Sequence, residues 1–187
     1  AKKYKLAVAG SFIAKEGGKY FNRAFFVTPE GETYLYDKRH LFRMAGEDQH
    51  FTAGDKRTIV TYKDWNICLQ VCYDLRFPVW SRNVDNEYDL LIYVANWPEA
   101  RKNLEDAAPG TCYGEYGVCL RGEPGRDRRQ GVCLPGRFHD LLSEREKAGG
   151  CGKREEVTRT CTLTRADLED LRGKFPAWKD ADAFEIK

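Results

Sequence analysis

Residues 65–78 read WNICLQVCYDLRFP. The run up to Cys72 is largely apolar and strand-like, and Cys68 and Cys72, four apart, share one face of such a strand. Beyond Cys72 the composition turns polar until Pro78, whose fixed φ and missing N–H suit the first residue of a helix. The segment is therefore expected to be a strand over 65–73 followed by a short helix from Pro78 to about Val84. Working outward, Thr58–Tyr62 is a strand that pairs with it across the two residues Lys63 and Asp64. Residues 88–95, YDLLIYVA, are nearly continuous in apolar residues, as expected for a strand covered on both sides. Strands this apolar need helices on one face and a further sheet or more helices on the other, which makes the fold class α/β.

The rest of the first 103 residues continues in the same style. Residues 5–13 are expected to be a strand, and 23–28 and Thr33–Asp37 two more, joined by Pro29-Glu30-Gly31-Glu32 as a hairpin turn. Residues 155–163 alternate like a strand. Thr164-Arg165-Ala166-Asp167 then has the form of a capping box. It opens a helix with Leu168 and Leu171 on one stripe, ending near Gly173, ahead of Pro176.

The segment between differs. Of the forty-nine residues 104–152, ten are glycine and four cysteine, and arginine outnumbers lysine six to one. No helical or strand period is expected across 110–136, and the zone reads as poorly ordered, with 138–148 the best helical stretch.

Composition excludes several classes. Thirty-one basic residues against twenty-nine acidic leave +2, too balanced for a protein built around nucleic-acid binding. The arginine run at Arg126, Arg128 and Arg129 is interrupted by Asp127 and carries no stacking aromatics, so no nucleic-acid partner is expected. No apolar run approaches a membrane span and no secretory leader is visible, which gives no membrane partner and a cytoplasmic location. The cysteines number seven, without a leader, so thiols rather than a disulfide framework are expected. Cys112, Cys119, Cys133 and Cys151 lack the close pairing of zinc ligands, and no metal site is expected.

Two residues stand out chemically. Cys72 ends an apolar strand, where a turn into a helix can lower a thiol pKa and place backbone N–H groups around an oxyanion. The alternative is a buried strand cysteine. Lys38, in YDKRHLF (36–42), leaves a strand at a turn and could hold an oxyanion or move protons. The alternative there is a solvated lysine between Asp37 and Arg39. Neither His40 nor His50 belongs to a recognisable triad.

Taken together, YDKRHLF, then GED (46–48), CLQVCYDLRFP (68–78) and YDLLIYVANWPEAR (88–101) resemble the nitrilase superfamily of carbon–nitrogen hydrolases, in its omega-amidase-like branch. LRGKFPAWKDADAFEIK at the end of the chain is similar to that branch's tail. The resemblance covers 1–103 and about 153–187, and implies a single, partial α-β-β-α sandwich domain. It further implies a cysteine nucleophile at Cys72, an oxyanion-stabilising lysine at Lys38, and Glu47 orienting the lysine and the substrate. The Tyr73 N–H would complete the oxyanion site, with Asn96 and Trp97 bordering the pocket. Read from the residues alone, Glu47 is equally a loop carboxylate and Trp97 a packed aromatic. The implied reaction is hydrolysis of small linear amides through a thioester with release of ammonia. No cofactor is implied, and pairing as a homodimer is.

Two departures qualify this. The family's general-base glutamate, which follows an early strand, has no counterpart here, and the opening strand and first helices are expected to be missing. A chain without that base is alternatively an inactive fragment of such an enzyme, since general-base contributions run roughly 10²–10⁴-fold. The second departure is the middle segment, read here as out of frame. Codons permitted for LEDAAPGTCYGEYGVCLR (104–121), read one base later, spell WKTLLQARAMENMAYVCG, an amphipathic helix entering a strand.

Overall fold

The computed structural model describes residues 1–95, 118–122, 131–133, 162–183 and 185, and of 118–122 and 131–133 only the backbone. Two sheets form the body. The first has three antiparallel strands in the order β1 (Val8–Glu16), β2 (Lys19–Val27), β3 (Thr33–Asp37). The second is mixed, in the order β4 (Thr58–Tyr62), β5 (Trp65–Val71), β6 (Leu90–Val94), β7 (Val118–Gly122), β8 (Gly131–Cys133). Its central neighbours β5–β6 and β6–β7 are parallel, and its outer pairs antiparallel. Among the described residues the α-helices are α1 (Pro78–Ser81) and α2 (Arg165–Lys174).

The expected hairpin at Lys63 and Asp64 is present, with Tyr62 opposite Trp65. Both turn residues have positive φ, 47° and 63°, the two-residue geometry whose twist matches that of the flanking strands. The first hairpin corrects the sequence reading. β1 starts later than residue 5, where Lys5 turns left-handed at φ 51°, and continues to Glu16. Gly17 and Gly18, at φ 57° and 76°, then reverse the chain into β2, which begins at Lys19. A Gly-Gly pair supplies both left-handed positions without a Cβ penalty, so pairing extends to the turn.

The two-sided character of β5 and β6 is observed residue by residue. Ile67, Leu69, Val71 and Leu90 join Ala24, Phe26 and Tyr36 of the first sheet, with Val60 and Trp80, in the core between the sheets. Cys68, Leu91 and Tyr93 point the other way and pack with Leu75 and Tyr88. On that second face Ser81 donates to Gln70 Oε1 at 3.0 Å and its hydroxyl lies 2.7 Å from that of Tyr93, so the buried polar groups are largely paired.

Strands β7 and β8 correct a further expectation, because they lie within the stretch where no strand period was expected. A strand is held by backbone pairing, here β7 alongside β6 with Leu90 opposite Val118, and needs no side-chain alternation of its own. The rest of 104–152, the expected helix at 138–148 and nearly all of the expected strand at 155–163 lie outside the described residues.

Helix α2 begins where the capping motif placed it. Thr164 Oγ1 accepts from the Asp167 N–H at 3.4 Å, and the helix runs one residue past Gly173. Leu168 is buried. The helix is latched to the start of β6 by buried Asp89, which takes Arg165 Nη1 at 2.8 Å and Arg172 Nη1 at 2.7 Å and also accepts from the Asn66 N–H at 2.9 Å. Helix α1 is a single turn, shorter than expected, because Arg82 leaves the helical region at ψ 126°.

Candidate active site

Strand β5 ends at Val71, two residues earlier than its composition implied. The buried Asp74 carboxylate takes the Val71 N–H at 3.1 Å, and the chain folds into a 3-10 turn over Cys72–Arg76 before α1. Cys72, the first residue of that turn, has φ 46°. For a residue with a Cβ this region costs about 1–2 kcal/mol, and such strain persists only where surrounding contacts impose it. The side chain is partly buried there and packs against both hydrophobic clusters. Cys68, on the same strand, is buried, and desolvation pushes its thiol up to about 12, which makes it inert. Cys72 is half-buried and carries no disulfide.

Lys38 follows the last residue of β3 and is not a solvated lysine. Only 2% of it is exposed. Its charged neighbours are occupied elsewhere: Asp37 takes Arg23 in a two-point ion pair at 2.6 and 2.9 Å, and Arg39 lies over the Trp80 ring and donates to the Gly54 carbonyl at 3.2 Å. Lys38 Nζ donates to Glu47 Oε2 at 2.6 Å. Glu47 opens a 3-10 turn of its own and also accepts from Asn22 Nδ2 at 2.9 Å and from the Phe42 N–H. Burial works to raise the Glu47 pKa, but the donors Lys38, Asn22 and Phe42 together outweigh it and hold the carboxyl below its ordinary range. Sequence reasoning missed Asn22. It sits on β2, whose register against β3 brings it to the lysine, and no local signal marks it.

The Lys38 backbone is pinned from both sides. Its N–H donates to the Asn22 carbonyl at 2.9 Å and its carbonyl accepts from the Gly54 N–H at 2.9 Å. A Cβ on Gly54 would lie 2.2 Å from the Asp37 carbonyl oxygen, so only glycine permits this approach. Gly54→Ala is expected to cost about 1–3 kcal/mol by overpacking and to displace Lys38, lowering the denaturation midpoint and turnover together.

The cysteine turn and the lysine segment meet. Phe42 and Tyr73 are in edge contact at 5.0 Å between ring centroids, Tyr73 and Phe77 at 5.2 Å, and His40 stacks on Phe77 at 3.7 Å. His40 Nδ1 lies 2.9 Å from Asp74 Oδ1, so its ring is engaged in the fold. The structure thus joins Lys38 with Glu47 and brings their segment against the turn that carries Cys72 and Tyr73. Asn96 and Trp97 lie outside the described residues, as do Cys112 and Cys151. Among the described residues no three His, Cys, Asp or Glu side chains form a group able to hold a metal ion, and no helix is long and apolar enough to cross a membrane.

A half-buried thiol on a left-handed turn, a buried lysine–glutamate pair, and aromatic contact between the two segments make up the candidate site. The carbon–nitrogen hydrolase profile matches residues 1–109, and the chain belongs to that family, within the nitrilase superfamily. Among individual proteins it is similar to the omega-amidase YafV of Escherichia coli (strain K12), with 40% identity over 96% of this chain and 70% of that protein. The CN-hydrolase superfamily protein XC1258 from Xanthomonas campestris superposes with a TM-score of 0.81 at 30% identity, covering 98% of this chain and 72% of that one. Nit3 of Saccharomyces cerevisiae shares the fold at 20% identity, with a TM-score of 0.76 over 94% of this chain and 66% of that one.

Proposed function

We propose that this chain hydrolyses the terminal amide of small linear amides, with Cys72 as nucleophile. The observation that carries the reading is the buried Lys38–Glu47 ion pair on the segment that meets the Cys72 turn. Lys38, with 2% exposure, donates to Glu47 and has further N–H donors to offer a substrate oxygen. The Cys72 thiolate attacks the amide carbonyl carbon, and the carbonyl electrons move onto oxygen. Lys38 and the Tyr73 N–H stabilise that oxyanion. Collapse breaks the carbon–nitrogen bond and ammonia leaves after gaining a proton. Water then attacks the thioester, releasing the carboxylic acid and the thiol. Asn96 and Trp97 border the pocket in this reading.

Glu47 orients Lys38 and is a poor proton acceptor, because its three donors hold its pKa down. Glu47 is thus assigned to holding Lys38, and the proton that Cys72 gives up is balanced by the one the departing nitrogen gains. The likeness to an omega-amidase supports a substrate whose amide sits at the end of a short chain.

The test combines two measurements on wild-type protein offered linear omega-amides. Ammonia release is expected, and rapid quenching followed by peptide mass analysis is expected to find the substrate's acyl group on Cys72. Turnover with the acyl group on another residue, or no turnover across a panel of such amides, overturns the proposal.

A further inference from the structure

We infer that Asp74 is the positioning residue that sets Cys72 and Lys38 against each other. The inference rests on the pairing of those two residues proposed above and adds what holds them in place. One fully buried carboxylate collects donors from both segments. Asp74 Oδ2 accepts from the Tyr36 hydroxyl at 2.7 Å and from the Val71 N–H at 3.1 Å. Asp74 Oδ1 accepts from the His40 N–H at 2.9 Å, and His40 Nδ1 lies 2.9 Å from it.

The distribution of these partners is what assigns the role. Tyr36 and His40 bracket Lys38, two residues before it and two after. Val71 and Asp74 bracket Cys72. Every bond on this carboxylate therefore ties one bracket to the other or closes the turn between them. Tyr36 is fixed in turn, because its hydroxyl accepts from Trp80 Nε1 at 2.9 Å and from the Arg39 N–H at 3.3 Å. Burial and the neighbouring Asp74 raise the Tyr36 pKa, so it remains a donor. The left-handed φ of Cys72 is the strained link in this arrangement, and Asp74 bonding back to Val71 keeps it closed. The carboxylate thus takes donors from either side of Lys38 and, through Val71, from the residue before Cys72, while Asp74 itself follows Cys72 by two.

The experiment reads the Cys72–Lys38 geometry without relying on turnover. o-Phthalaldehyde joins a neighbouring thiol and primary amine into a fluorescent isoindole with loss of two water molecules. Wild-type protein is expected to form this adduct, and Cys72→Ser and Lys38→Arg are each expected to remove it. Asp74→Asn keeps the size of the side chain but replaces an acceptor oxygen with a donor. It is expected to slow adduct formation about ten-fold or more and to lower kcat by a similar factor with KM within about two-fold, as misplaced reacting groups do. Leu168→Ala, in α2, is the control for stability alone: it lowers the melting temperature and leaves the adduct rate unchanged.

If Asp74→Asn does not fold, Tyr36→Phe removes a single donor and is expected to slow the adduct about three-fold. An unchanged rate in the folded variant, or no Cys72-dependent adduct in wild type, overturns the inference. Wild-type protein that forms the adduct yet releases no ammonia would overturn the proposed reaction and leave the role of Asp74 to be decided by the variants.

Discussion

Cys72→Ala is expected to reduce ammonia release to background, a loss of roughly 10⁴-fold or more, because the covalent route disappears with its nucleophile. The more informative variant is Cys72→Gly. Both lack the sulfur and both should be inactive, so they differ only in backbone preference. At ordinary backbone angles glycine is the less stable of the two by about 0.5–1 kcal/mol. At φ 46° the order is expected to reverse, with the glycine variant more stable than the alanine variant by about 1 kcal/mol in chemical denaturation. The reversed sign would show that reactivity at this position is held at a cost in stability. Alanine at least as stable as glycine would mean the turn is unstrained.

Glu47→Gln carries the second large effect. Lys38 is almost wholly buried, and its ion-pair partner among the described residues is Glu47 at 2.6 Å. Removing one member of such a pair leaves an uncompensated charge, so a loss of about 3 kcal/mol in stability is expected. Turnover is expected to fall roughly 10²–10³-fold, the usual cost of disturbing an oxyanion donor. The double variant Lys38→Met/Glu47→Gln should be more stable than Glu47→Gln alone, since it removes both charges, while remaining inactive. The pH dependence has a definite sign. The Glu47 pKa is lowered in the folded protein, so its contribution to stability is fully present above the ordinary glutamate range and is lost as pH falls through the lowered value. The stability gap between wild type and Glu47→Gln should therefore be constant near neutrality and shrink on acidification. A gap that widened with acid would contradict the arrangement described here.

What the sequence determined by itself are features whose cause lies within a few residues. Lys63 and Asp64 between two alternating runs specify a tight turn, and the hairpin forms there. The nearly continuous apolar run at 88–95 specifies a strand covered on both faces, and Leu90 packs in one core while Leu91 and Tyr93 pack in the other. The capping residues ahead of Arg165 specify where α2 begins. The motifs around Lys38, Glu47 and Cys72 were legible as family signatures. Gly17-Gly18 carried an equally local signal for the first hairpin and could have been read from the same turn chemistry.

The tertiary structure alone decided how these pieces serve one another. Lys38 lies between two charged residues and reads as a surface lysine. It is buried because Arg23 and the Gly54–Trp80 region draw its neighbours aside. Asn22 reaches Glu47, 25 residues away in sequence, through strand register, and Asp74 reaches Tyr36 across 38 residues through the stacking of the two sheets. Periodicity and turn chemistry are properties of a short window of chain, whereas a buried carboxylate gathers whichever donors the sheets deliver to it. That is why the candidate reactive residues can be named from the sequence, while the groups that gather around them appear only once the sheets are packed.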